Sequence, residues 1–240
     1  MLQKKHYATC IPLVSQNEET LWCEIDNAIQ QNPDYLEWRR DYFLEDCFET
    51  EKKMLKGFKQ KIGKTGLIYT FRDVNEGGFR NVAELERLKF ITYWIEKGMA
   101  NYIDIELDSS DAFLGQIQNL ISDSSVRLLL SHHNFHKTYS AEKMMDIFKR
   151  MESKGADVLK LAMYAENEDD VKRQIEVAYT YGMKSEKPII VISMGSLGTI
   201  SRVFPDFIGG SLTYVAGKES TAPGQLTIKE ISRLREKLGV

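Results

Sequence analysis

The stretch VRLLLSHHNFHKTYSAEKMMDIFKRMESKGADVLKLAM, residues 126–163, decides the fold. Its first part, Val126–Ser131, is a continuous apolar run of the kind carried by strands that are covered on both faces. Ser140 then stands at an N-cap position, and the helical pattern that follows ends at Gly155. A second apolar run, Asp157–Met163, closes the unit. Strand, helix and strand follow one another with short connections, which is the signature of a parallel sheet with helices packed on it.

The same alternation extends in both directions. Further strands are expected at Tyr7–Val14, Tyr35–Arg39, Gly66–Arg72, Tyr102–Leu107, Pro188–Met194 and Leu212–Ala216, which makes eight. Between them lie amphipathic helices. One places Leu85, Leu88, Ile91, Trp94 and Ile95 on a single stripe and stops at Gly98. Another has acidic residues in its first turn (NEDD) and ends at Gly182, and the last starts at Thr227 with Glu230 at capping-box spacing. Eight βα units in this length imply a single-domain closed (β/α)8 TIM barrel over residues 1–240. A doubly wound open sheet would carry a Gly-rich turn after its first strand, where this chain has LVSQNEET.

Composition narrows the function. Of the 240 residues, 42% are hydrophobic and 28% charged, with a net charge of −3. That suits a packed core, and the absence of a basic stripe argues against nucleic acid as a partner. No segment has the roughly 20 apolar residues of a membrane helix, and MLQKKHYATCIPLV lacks the apolar core of a signal peptide. Cys10, Cys23 and Cys47 are odd in number and fit no zinc spacing, so they read as reduced thiols in a cytoplasmic protein.

In such a barrel chemistry sits at the C-terminal ends of the strands. Those ends hold Glu37, Arg39, Arg72, Glu76, Asp104, Glu106, His132, His133, Lys160, Met194 and Arg202, with Gln225 in the loop after strand 8. Lys160 is the unusual one, since its neighbours in ADVLKLAM are apolar and a buried ammonium is costly. It reads either as a lysine paired with Asp104 or Glu106, or as a desolvated amine able to attack a ketone and form an imine. An imine mechanism needs a base and an acid, and one histidine can serve as both. Adjacent strand residues face opposite ways, so one of His132 and His133 faces the lumen. Arg39, Arg72 and Arg202 suit an anionic substrate, or else pair with Glu37, Asp73 or Glu76.

These residues carry a family resemblance over nearly the whole chain. LEWRRDYF resembles the E-x-R-x-D segment of type I 3-dehydroquinate dehydratases, and TFRDVNEGG their T-F-R…E-G-G segment. YIDIEL fits their fourth strand. SHHNFHKT resembles S-x-H-(D/N)-F-x-x-T, which aligns His133 with the catalytic histidine, and ADVLKLA aligns Lys160 with the Schiff-base lysine. SMGSLGTISRV resembles M-G…G-x-x-S-R, and STAPGQ resembles S-A-P-G-Q, with Thr221 in place of the usual serine and Tyr214 at a position where an aromatic, often Phe, is usual. The resemblance implies dehydration of 3-dehydroquinate to 3-dehydroshikimate in the shikimate pathway, on the route to aromatic amino acids. Lys160 would form the imine, His133 would move protons, and Glu76 would orient His133. Glu37, Arg39, Arg72, Met194, Arg202, Tyr214, Thr221 and Gln225 would bind substrate. It also implies a homodimer with no metal and no organic cofactor. Two other classes remain as alternatives: a lysine-imine aldolase acting on sugar phosphates, and a barrel that only binds an acidic ligand.

Overall fold

The computed structural model describes residues 7–218 and 224–240. Eight strands alternate with eight helices. The strands are β1 (Ala8–Leu13), β2 (Tyr35–Arg39), β3 (Gly66–Thr70), β4 (Tyr102–Glu106), β5 (Arg127–Asn134), β6 (Val158–Tyr164), β7 (Ile189–Met194) and β8 (Leu212–Tyr214). The helices are α1 (Glu18–Ile29), α2 (Phe48–Lys61), α3 (Glu84–Glu96), α4 (Asp111–Ser122), α5 (Ala141–Ser153), α6 (Glu168–Lys184), α7 (Thr199–Val203) and α8 (Ile228–Lys237). A short 3-10 turn, Val74–Glu76, follows β3.

The strands run in the order β7-β6-β5-β4-β3-β2-β1-β8 and every pair is parallel. At the remaining seam the Ser211 N–H, just before β8, donates to the Ile189 carbonyl at the start of β7 (2.8 Å). The sheet is thus a nearly closed (β/α)8 barrel.

Strand alternation creates two cores. Leu36, Trp38, Leu67, Tyr69, Ile103, Leu130, Leu159 and Leu161 point outward and pack under the helices. Tyr35, Ile68, Tyr102, Leu129, Val158, Ile190 and Leu212 point inward and plug the lower lumen. The next inward positions up the strands are Glu37, Thr70, Asp104, Ser131 and Lys160, all buried. The apolar plug therefore forms a floor with a charged layer on top.

Most helix punctuation follows the sequence reading. Asn17, Ser110, Ser140 and Asn167 cap their helices through side-chain oxygens, and Thr227 with Glu230 forms a full capping box. Gly98 and Gly155 follow helix ends with positive φ. Three details differ. Leu85 lies in the first turn of α3 and is exposed, while Leu88, Ile91, Trp94 and Ile95 are buried. The run β5 continues to Asn134, because its edge still pairs with β6 there. Finally, α6 passes through Gly182 to Lys184. A Cβ at Gly182 would lie 2.8 Å from the Gly209 carbonyl oxygen, so that glycine serves close packing and not termination. No helix among the described residues is long and apolar enough to cross a membrane.

Candidate active site

Lys160 lies in the middle of β6, in register with Ser131 of β5, with its side chain in the lumen and almost fully buried. Its Nζ donates to Asp104 Oδ2 (2.9 Å) and to the Tyr214 hydroxyl (2.9 Å), and lies 3.5 Å from Glu37 Oε1. The Tyr214 ring centroid is 4.4 Å from the same nitrogen. The pairing with Asp104 considered from sequence is therefore present. Burial opposes the Asp104 charge, but Arg72, Lys160 and a Ser131 hydrogen bond outweigh it and hold this carboxyl below its usual range.

His133 faces the lumen from the end of β5, and Glu76 comes down onto it from the 3-10 turn. Glu76 Oε2 accepts from the His133 backbone N–H (2.9 Å) and lies 2.9 Å from its Nδ1. Burial, with Arg72 and Lys160 nearby, pushes the imidazole well below its ordinary value, so it is neutral near neutral pH. Burial also pushes the Glu76 carboxyl up to about 8. An Nδ1–H directed at Oε2 leaves the Nε2 lone pair as the available base. Phe135 stacks on the imidazole (6.2 Å between centroids, 12° between planes).

The three arginines differ in what holds them. Arg39 forms a fork with Asp41 (2.9 and 2.8 Å) and donates to the Gly77 carbonyl. Arg72 is committed to Glu106, Ser131 and Asp104 (2.8, 2.6 and 2.7 Å). Neither pairs with the carboxylates considered from sequence: Asp41, just past β2, takes Arg39, and Asp104 and Glu106 of the neighbouring strand β4 take Arg72. Arg202 is the exception. It is buried, and among the described residues its guanidinium donates to the Tyr214 carbonyl (3.3 Å) while its Nε has no partner. Burial alone lowers it, to about 10. No ion pair holds it among the described residues, so the mouth of the lumen presents an uncompensated cation.

These groups share one cavity of about 180 Å³. Ten of the eleven residues expected from sequence line it: Glu37, Arg39, Arg72, Glu76, His133, Lys160, Met194, Arg202, Tyr214 and Gln225. Thr221 lies outside the described residues. A larger cavity of about 680 Å³ runs along α1, but Lys160 and His133 are absent from its walls.

The comparisons with known proteins bear on the same arrangement. The family model for type I 3-dehydroquinase matches residues 9–240. The chain belongs to the type I 3-dehydroquinase family. The 3-dehydroquinate dehydratase of Bacillus velezensis is 30% identical over 223 residues, covering 92% of this chain and 88% of the relative. That of Clostridium novyi is 31% identical over 227 residues, with 94% and 90% covered. Among solved structures, the type I 3-dehydroquinate dehydratase from Clostridium difficile superposes with a TM-score of 0.92 at 28% identity, covering 99% of this chain and 94% of that one. This type I 3-dehydroquinase is accordingly an enzyme of the carbon–oxygen lyase class.

The sequence reading missed part of the candidate site. Asp41 stands in the E-x-R-x-D segment, yet nothing in the sequence says that it grips Arg39. Asp104 was considered from sequence only as one of two possible partners of Lys160, and the structure makes it the nearest carboxylate, at 2.9 Å. Pro12, Tyr42, Phe135 and Ile192 also line the cavity; of these Tyr42 lies inside LEWRRDYF and Phe135 inside SHHNFHKT. On the outer side of β5, His132 Nδ1 lies 3.2 Å from Asp108 Oδ2 and 3.7 Å from Glu76 Oε1. One ligand-capable atom from each of these three residues falls within 4.8 Å of the others. Glu76 is engaged by His133 and Asp108 by Arg150, so these carboxylates already have partners.

Proposed function

We propose that this chain converts 3-dehydroquinate to 3-dehydroshikimate and water through an imine on Lys160, with His133 as base and then acid. Nζ attacks the C3 ketone, and loss of water from the carbinolamine gives a protonated imine. That cation is an electron sink which acidifies C2. His133 removes a C2 proton, and the resulting enamine expels the C1 hydroxyl, which leaves as water on receiving the proton from His133. Hydrolysis then frees Lys160. Asp104, 2.9 Å from Nζ and held ionised, stabilises the iminium charge.

Arg202 takes the substrate carboxylate, with Gln225 and Thr221 closing over it. Glu37, Arg39 and Arg72 face the ring hydroxyls and the carbonyl side, and Met194 and Tyr214 complete the wall. Glu76 fixes the His133 tautomer. The imine supplies the electron sink, so the reading needs neither metal nor organic cofactor. We place the enzyme in the cytoplasm as a homodimer, each protomer one catalytic domain over residues 1–240.

The observation that carries this reading is the shared cavity. It brings a buried lysine, a neutral histidine and a guanidinium with no carboxylate partner among the described residues to one place. The Clostridium difficile relative, described with covalent modified comenic acid, supports covalent chemistry in the family.

Borohydride reduction in the presence of 3-dehydroquinate tests the proposal. The expected result is a mass increment on the peptide carrying Lys160, absent in Lys160→Ala. In His133→Ala the increment persists while the enone absorbance of the product fails to grow. Labelling that survives in Lys160→Ala rejects the assignment.

A further inference from the structure

An amine that attacks a carbonyl must first lose a proton, and the lumen offers two carboxylates to receive it. Asp104 is the closer to Nζ but the poorer acceptor. Its oxygens already accept from Arg72, Ser131 and Lys160 (2.7, 2.6 and 2.9 Å), all of which favour its ionised form. Glu37 is the alternative. Its Oε1 accepts from the Thr70 hydroxyl (2.8 Å) and from the Tyr214 hydroxyl (3.3 Å). The Tyr214 hydroxyl in turn accepts from Nζ (2.9 Å). Nζ, the phenol oxygen and Oε1 thus form a donor-to-acceptor chain, whereas the direct gap from Nζ to Oε1 is 3.5 Å. The phenol is buried, at 5% exposure. Burial and the Glu37 charge push its pKa far up, so it stays a neutral hydroxyl, which both accepts and donates.

We propose that Tyr214 is a catalytic residue of this reaction, a hydroxyl relay that carries the Lys160 proton to Glu37 before imine formation. In the step one N–H bond of the ammonium breaks and its proton moves to the phenol oxygen. The phenol O–H bond breaks in concert and that proton moves to Glu37 Oε1. The products are a neutral amine, an unchanged phenol and a neutral Glu37 carboxylic acid. No charge is created in the lumen; an ammonium–carboxylate pair becomes two neutral groups beside the incoming ketone. The reverse transfer restores Lys160 after hydrolysis. The relay rests on the imine reading given above. It goes beyond that reading by giving Tyr214 a chemical role in place of a wall contact, and by naming Glu37 as the proton acceptor.

Tyr214→Phe removes one oxygen and keeps the ring beside Nζ. Rapid mixing with 3-dehydroquinate, followed by borohydride quenching, gives the rate of imine formation. That rate is expected to fall about 100-fold, the low end of what a positioned proton-transfer group contributes. Its pH profile is expected to move to higher pH, because the amine must then lose its proton to solvent. Elimination, followed as enone absorbance from imine already formed, is expected at the unaltered rate. Glu37→Gln, which keeps the shape but cannot take the proton, is expected to show the same slow imine step. A residue that only packed would change KM without moving the pH profile, and that result overturns the relay. So does imine formation at the parent rate in Tyr214→Phe. If the parent enzyme itself gives no trapped adduct, the imine reading fails first, and the two failures are distinguishable.

Discussion

Arg202 shows how a single residue stores binding capacity. A guanidinium buried without a carboxylate costs stability, and among the described residues the Tyr214 carbonyl at 3.3 Å is what offsets that cost. In the proposed reading an incoming substrate carboxylate recovers it. Arg202→Ala is expected to raise KM for 3-dehydroquinate by about 2–4 kcal/mol of lost pairing, roughly 30- to 1000-fold. The folded state should lose nothing comparable, since no carboxylate among the described residues is orphaned. Steady-state kinetics beside a urea titration separate the two quantities. An unchanged KM would remove Arg202 from the carboxylate site. The arginine itself was legible as a cation just after strand 7. Its lack of a partner was not, because that depends on which acids four other strands turn toward it.

At the scale of elements, α2 is fastened to the barrel through one buried carboxylate. Glu51 Oε2 accepts from Arg40 Nε (2.8 Å), while Oε1 accepts from Trp94 Nε1 of α3 (2.6 Å) and the Tyr69 hydroxyl of β3 (3.2 Å). Arg40 and Glu51 are both fully buried. Glu51→Ala leaves the Arg40 charge without its main partner, and a loss of about 3–5 kcal/mol is expected in the urea-unfolding free energy. Glu51→Gln keeps acceptors for Trp94 and Tyr69 and should cost less; equal costs would mean that the charge itself is unimportant. Period-two alternation shows why this network was not read from sequence. In LEWRRDYF it sends Glu37 and Arg39 into the lumen and turns Trp38 outward, and Arg40 follows outward just beyond the strand. That decided which residues could reach substrate, and ten of the eleven named lie in the cavity. It says nothing about which helix residue meets Arg40, since Glu51 and Trp94 arrive from elements placed only by the closed barrel. The same limit applies at Gly182, where the helix reads as finished until the neighbouring loop is seen to press against it.

Over the whole molecule, the lumen charges make folding stability depend on pH in opposing ways. Asp104 is held below its ordinary value of 3.8, so its stabilisation is present above that pH and is lost as acid protonates the folded form. His133 is held well below 6.5, so below that pH the unfolded chain takes up a proton that the folded chain refuses, which again favours unfolding in acid. Glu76 works the other way. Its carboxyl is raised from 4.5 to about 8, so between those values the unfolded chain releases a proton that the folded chain keeps. The folded state then binds more protons, and stability falls as pH rises through this window. The contribution is fully present below 4.5 and gone above 8. Glu76→Gln removes this titration while leaving an acceptor for the His133 N–H. Urea unfolding of the two proteins across the window should give a gap that grows in favour of the variant with rising pH and levels off above 8. A gap that stays constant would mean that Glu76 is ionised throughout, with His133 sharing its charge.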